Sequence, residues 1–178
     1  MKHYPYPFSL PCVVLFTGLP ASGKTTLAQS FLEKYEKQLS IKILDGDEAR
    51  KKTPHLGFGK EDRLLNLSNL AQMASELEKN GHVVLVAAIS PYEEARKYAR
   101  SQCHKFYELY LSTPLKICIS RDPKGLYKKA LAGEIKNFTG ISDPYEIPMR
   151  PDLIIDTSSE EIATSLDKLY HLIQKSQK

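Results

Sequence analysis

One short run of residues carries most of the chemistry legible in this sequence. Gly18-Leu19-Pro20-Ala21-Ser22-Gly23-Lys24-Thr25 fits the spacing G-x-x-x-x-G-K-[ST]. Its glycines let main-chain N–H groups point into one concave space without Cβ interference. Such amides at the start of a helix favour a polyphosphate. Lys24 is suited to reach the β- and γ-phosphates of a nucleotide, and Thr25 to offer its hydroxyl to Mg2+. A glycine-rich turn with a chance lysine is the plain alternative. The apolar strand before the loop and the helical pattern after it argue against that.

The loop alone does not separate kinases from GTPases or motor ATPases. No NKxD-like guanine-reading motif follows. Asp45-Gly46-Asp47 falls at the end of a short apolar run, the edge that faces ligand in open α/β sheets. One carboxylate there can orient or deprotonate an attacking hydroxyl, and another can hold Mg2+ through water. An ordinary turn with an N-cap is the bland reading of the same three residues. Further on, Arg121 and Lys124 flank Asp122-Pro123, while Lys128 and Lys129 follow. A small-molecule kinase must exclude water, and a cationic flap does so while neutralising charge on the transferring phosphoryl group. Arg121 and Lys124 read as functional, Lys128 and Lys129 as a solvated basic face.

These residues need a frame, and the order of elements supplies one. Pro11–Thr17, a short apolar run rich in β-branched residues, Ile41–Leu44, His82–Ile89, Lys105–Leu111, where Phe106 and Tyr107 alternate with less apolar neighbours, and Asp152–Ile155 read as strands. Helical spacing over Lys24–Lys37, Glu61–Asn80, Pro91–Arg100, a short stretch from Pro114, and Glu160–Gln174 alternates with them. Pro91 in particular is expected to open its helix. Strands alternating with helices predict an α/β fold, a five-stranded parallel sheet with helices on both faces. Residues 121–151, rich in glycine, proline and lysine, read as a basic lid with one helical stretch near Tyr127–Ala132.

At 178 residues the chain suits a single domain, with residues 1–10 as an N-terminal arm. Hydrophobic residues make up 42% and charged residues 26%, ordinary values for a globular chain. No apolar run approaches the roughly 18 residues of a membrane span, and the N-terminus lacks a signal-peptide pattern, so a cytoplasmic location is expected. The net charge of +4 suits an enzyme handling anions and is too mild to argue for nucleic acid. Cys12, Cys103 and Cys118 have no metal-site spacing and read as reduced, buried thiols.

Taken together, the motifs resemble the adenylylsulfate kinases, which convert adenosine 5′-phosphosulfate (APS) and ATP to PAPS and ADP. TGLPASGKTT (Thr17–Thr26), LDGD with Arg50, LGF (Leu56–Phe58), DR…N (Asp62, Arg63, Asn66), ISPY (Ile89–Tyr92) with Arg96, RDPKGLYKKA (Arg121–Ala130), GEIKNFTGI (Gly133–Ile141) and DPYE-P (Asp143–Pro148) carry the resemblance. They cover about Val13 to Thr157 in family order. The resemblance implies a three-layer P-loop kinase fold using ATP and Mg2+, in which Gly18 to Thr26 and Arg121 bind ATP. It implies that Phe58 and Phe138 sandwich the acceptor adenine, that Arg50 and Arg63 hold the phosphosulfate, and that Asn66, Ile89, Ser90 and Thr139 line the same pocket. Lys124 would close over the acceptor and Asp47 would sit near the 3′-hydroxyl. Lys24, Asp47 and Ser90 form the implied catalytic set. Ser90 is often assigned in this family as a phosphoserine intermediate. Mg2+, Lys24 and Asp47 already supply positioning and charge, which makes direct in-line transfer simpler. The plain role for Ser90 is an N-cap before Pro91. Homodimers are common in the family.

The sequence also departs from the family pattern. Ser68 and Asn69 stand where two arginines are usual, Ala88 where phenylalanine is, and Glu48 where asparagine is. The stretch from Lys51 to His55 is one residue short. A sister kinase acting on another nucleotide acceptor, such as a cytidine diphosphoramidate, is therefore one alternative. A nucleotide-binding module without catalysis is another.

Overall fold

The computed structural model describes residues 11–52, 57 and 59–174. The N-terminal arm and Phe58 lie outside the described residues. Strands β1 (Cys12–Thr17), β2 (Ile41–Asp45), β3 (Val83–Ala87), β4 (Phe106–Leu111) and β5 (Leu153–Ile155) alternate with helices α1 (Lys24–Tyr35), α2 (Gly46–Lys52), α3 (Lys60–Lys79), α4 (Glu93–Gln102), α5 (Leu115–Arg121), α6 (Leu126–Leu131) and α7 (Ile162–Gln174). The strands form one sheet in the order β2-β3-β1-β4-β5, and every pairing is parallel.

β1 is central, and all six of its residues are buried. A strand covered on both faces needs no alternation, and CVVLFT has none. Its odd and even positions serve different layers. Val14 and Phe16 pack with Leu27, Phe31, Leu166 and Leu169 of α1 and α7. Val13 and Leu15 pack with Leu67, Leu70, Ala74 and Ala95 of α3 and α4. Side chains such as Phe16 and Phe31, fully enclosed here, each contribute about 1.5–3 kcal/mol by leaving water. Register brings the functional ends level, since Phe16 and Asp45 both pair with Ala87 of β3. The ends of β1, β2 and β3 thus share one edge.

The fold bears out one local reading of the sequence and overturns another. Asp45-Gly46-Asp47 does lead with an N-cap, for Gly46 begins helix α2. The Asp45 carboxylate accepts the main-chain N–H groups of Asp47 (2.8 Å) and Glu48 (3.3 Å), serving as the cap of a helix too short to show periodicity. Pro91 does not open its helix. Ser90 is left-handed (φ 49°), Tyr92 remains extended, and α4 starts at Glu93. A left-handed residue immediately before proline turns the chain sharply and postpones the first helical turn.

The segment 121–151 enters the domain between α5 and β5. Tyr127, Ala130, Phe138 and Cys118 form a separate buried cluster, with Leu19 and Ala21 of the glycine loop against it. Among the described residues no helix is long and apolar enough to cross a membrane. All three cysteines are unpaired thiols; Cys12 and Cys118 are buried and Cys103 half-buried.

Candidate active site

The glycine loop joins β1 to α1 at the centre of the sheet. A Cβ on Gly18 would stand 2.8 Å from the Ser22 hydroxyl and 2.9 Å from the Leu111 carbonyl, so only glycine fits there. Gly23 caps α1 in the left-handed region (φ 96°). The N–H groups in the first turn of α1, at Lys24, Thr25 and Thr26, have no partner within the helix and face the loop's concavity.

Lys24 is held across the mouth of the loop. Its ammonium donates to the carbonyls of Gly18 (2.9 Å) and Leu19 (2.7 Å). Burial lowers its pKa from 10.5 to about 8, offset in part by nearby carboxylates, Asp47 first. Asp45, Asp47 and Lys124 are linked to one another by hydrogen bonds, and their charges all act on Lys24. The Thr25 hydroxyl donates to the Asp45 carboxylate at 2.7 Å. A hydroxyl beside a carboxylate is the hard oxygen donor set that Mg2+ takes, and Mg2+ draws its remaining ligands from phosphate and water. Among the described residues no group of three or more His, Cys, Asp or Glu could cage a metal. The residues therefore fit a cation shared with substrate phosphates.

Asp47, in the first turn of α2, meets the lid. Lys124 donates to its carboxylate at 2.5 Å, joining residues 77 apart in sequence. Both side chains are more than half exposed (60% and 63%), so the pair adds little to stability and marks where the lid meets the site. Arg50 donates to the Gly57 carbonyl at 2.6 Å. Burial, and after it the like charge of Arg63, disfavour its cationic form. Arg63 itself is buried and donates to the Asn137 carbonyl at 2.7 Å. Asn66, also buried, lies on the same face of α3 three residues on. The Asp143 carboxylate lies 3.8 Å from the Arg63 Nε.

Phe138 and Thr139 are buried in the lid. Phe138 meets the Tyr127 ring edge-on, with centroids 5.0 Å apart. Its expected partner Phe58 lies outside the described residues. Ile89 accepts the Thr17 hydroxyl at 2.7 Å. The Ser90 hydroxyl is buried and, like that of Thr139, has no hydrogen-bond partner. It caps no helix, because Tyr92 occupies the cap position of α4. Arg121 turns towards the back of the loop, donating to the Thr157 hydroxyl (2.8 Å) and carbonyl (2.7 Å). Lys128 and Lys129 are exposed.

Sequence reasoning gave no role to the residues that pin this assembly. Arg96 is almost fully buried and donates to the carbonyls of Ser90 and Glu146, each at 2.8 Å. Its Nε lies 2.7 Å from the Glu108 carboxylate. Burial raises the Glu108 pKa, and Arg96 opposes the rise. The Tyr92 hydroxyl donates to Asp143 at 2.9 Å. Burial, foremost, and that carboxylate push its pKa up to about 12, keeping it a donor. Tyr145 pairs with the Thr17 hydroxyl at 2.8 Å. These contacts fasten the returning half of the lid to the sheet edge. The quoted blocks contain Tyr92, Arg96, Asp143 and Tyr145, so the signal was present without its chemistry.

A parallel sheet in this order, a phosphate loop after its central strand and a cationic cover over the carboxylate edge define a P-loop kinase. A profile of the adenylylsulphate kinase family matches residues 10–156, and the chain belongs to that family. A probable adenylyl-sulfate kinase of Aeropyrum pernix is 44% identical over 168 residues, covering 91% of this chain and 92% of the relative. The adenylyl-sulfate kinase of Rippkaea orientalis is 43% identical over 164 residues, covering 91% of each. Among solved structures, the Mycobacterium tuberculosis APS kinase in complex with AMPPNP and APS superposes with a TM-score of 0.88 at 42% identity. That match spans 93% of this chain and 99% of the other.

Proposed function

We propose that the chain transfers the γ-phosphoryl group of ATP to the 3′-hydroxyl of APS, giving PAPS and ADP. The observation that carries this reading is the meeting of Asp47 and Lys124 beside the phosphate loop, in the cleft that also holds Lys24 and the Thr25–Asp45 pair. A carboxylate at that point can take a proton, and the cations around it can stabilise a transferring phosphoryl group. Similarity to a kinase solved with AMPPNP and APS supports both substrates.

In this reading Gly18 to Thr26 bind the triphosphate through main-chain N–H groups, and Lys24 neutralises its developing charge. Mg2+, held through Thr25 and Asp45, would supply further charge neutralisation on the phosphate oxygens. Arg50 and Arg63 bind the phosphosulfate, Asn66, Ile89 and Thr139 line the pocket, and Phe138 flanks the base. Asp47 accepts the proton of the 3′-hydroxyl as its oxygen bonds to the γ-phosphorus. The bond to the β–γ bridging oxygen breaks in line, and ADP leaves with that oxygen. Lys124 then has a second role beyond its ion pair, covering the acceptor and excluding water. This route needs no covalent step at Ser90, whose buried hydroxyl is available to the acceptor. The whole reaction fits one domain, and nothing in it requires nucleic acid or a membrane.

Formation of ADP is followed with APS and with a panel of nucleoside 5′-diphosphate analogues, cytidine diphosphoramidate included. APS is expected to give the highest kcat/KM. ADP formed with another acceptor but not with APS would overturn the substrate assignment. No turnover with any acceptor would leave a nucleotide-binding module.

A further inference from the structure

The phosphate loop is also gripped by residues of the lid and of the loops that follow β4 and β5. The Tyr127 hydroxyl, on lid helix α6, donates to the Pro20 carbonyl at 3.0 Å. Thr157, just beyond β5, donates to the Ser22 carbonyl at 2.9 Å, and Thr113, just beyond β4, reaches the same oxygen at 3.2 Å. The two threonine hydroxyls lie 2.8 Å apart, so one donates to the Ser22 carbonyl while the other donates to its neighbour. Arg121 holds Thr157 and approaches the Ala21 carbonyl at 3.5 Å.

Direction is what matters in this arrangement. In a trans peptide the C=O and the following N–H point opposite ways. Fixing the Pro20 carbonyl backwards aims the Ala21 N–H forwards, and fixing the Ser22 carbonyl does the same for Gly23. Ala21 adopts a left-handed conformation (φ 60°), which a residue with a Cβ resists unless its surroundings impose it. The loop thus does not hold its phosphate-facing form by glycine alone.

We infer that Tyr127 and Thr157 are positioning residues for the phosphate loop, turning the Pro20–Ala21 and Ser22–Gly23 peptides so that their N–H groups face the nucleotide phosphates. Neither is a catalytic residue. The inference rests on the loop's binding ATP and is independent of which acceptor is used. Tyr127 is fully buried, and burial raises its pKa far above neutrality, so the hydroxyl is a permanent donor. Its ring also meets Phe138, which ties the loop's shape to the lid.

Tyr127→Phe keeps the ring and removes the donor, and Thr157→Val keeps the shape and removes the other. Titration calorimetry measures ADP and inorganic triphosphate, and steady-state kinetics gives the two KM values. One lost hydrogen bond corresponds to about a 3- to 10-fold weaker Kd for both phosphate ligands in each variant. The KM for ATP is expected to rise while that for APS stays within about 2-fold. A lower Tm with unchanged ADP and triphosphate affinity in both variants would overturn the inference, as would a rise confined to the KM for APS. Should Tyr127→Phe fail to fold, the double variant Thr113→Val with Thr157→Val decides alone, since either hydroxyl can reach the Ser22 carbonyl. A wild-type chain that binds ADP without phosphorylating APS would sink only the acceptor assignment. One that binds neither phosphate ligand would sink the functional reading and the inference together.

Discussion

The two halves of the cleft are built on opposite plans. On the phosphate side, function resides in backbone. One contiguous loop leaves the innermost strand, and side chains from the β4–α5 loop, α6 and the β5–α7 loop fix its carbonyls. On the proposed acceptor side, the candidate groups come from α2, α3, the Ile89–Ser90 turn and the lid, elements far apart in sequence. Arg63 reaches lid residue Asn137, and Asp47 reaches lid residue Lys124. A backbone site tolerates varied side chains and keeps its spacing. A side-chain site can be retuned at single positions, and Ser68, Asn69 and Ala88 show where this chain differs from its family.

The sharpest test of that contrast is Lys24→Ala. It should lower kcat/KM by about 10³-fold or more, as expected for a lost transition-state cation, with circular dichroism and Tm close to wild type. Retained turnover would erase the distinction, because the loop would then be a structural turn. Arg96→Leu should come next, acting on the acceptor side. It strands the Glu108 carboxylate and two carbonyls, so urea denaturation should show a loss of about 3–5 kcal/mol. A change below about 1 kcal/mol would mean that the lid's return is held by other contacts.

Phe138→Ala is expected to weaken APS binding by about 1–3 kcal/mol while leaving ADP affinity almost unchanged. Equal losses for both nucleotides in paired binding assays would blur the two halves into one site. A further effect is pH-dependent and belongs to Lys24. Its pKa in the fold, about 8, lies below its ordinary 10.5. The unfolded chain therefore binds more protons between those values, and stability should rise with pH across that window. The free protein loses the ammonium over the same range, so kcat/KM for ATP should fall above pH of about 8. Both quantities moving the same way would remove Lys24 as the titrating group.

Legibility in the sequence followed the same division. β1 and β3 stood out because parallel strands buried on both faces write themselves as continuous hydrophobic stretches, whereas β2, β4 and β5, only partly buried, were read from shorter or mixed runs. The phosphate loop was visible because its geometry needs glycine and lysine at fixed offsets. Helix α2 was not, since a helix of seven residues shows no periodicity and its cap, Asp45, reads equally well as a turn. The late start of α4 was hidden because the left-handed Ser90 owes its conformation to Arg96, six residues on, and to the lid. Thr113 and Thr157 gave no local signal at all. Their role exists only where three separated loops converge on one carbonyl. The acceptor residues were named through resemblance, since neither periodicity nor spacing marks Arg50, Arg63 or Phe138 as neighbours.

The phosphate cradle grows directly out of β1, whose every residue is shielded by neighbouring strands and by helices on both sides. Amide hydrogens of such a strand exchange with solvent only in the rarest openings of a molecule. A heated or partly denatured chain would therefore shed its rim, lid and edge strands first. Strand β1 would be among the last parts to open, but the cradle at its end would slacken as soon as the lid and β5 let go, because Tyr127 and Thr157 hold its carbonyls from there.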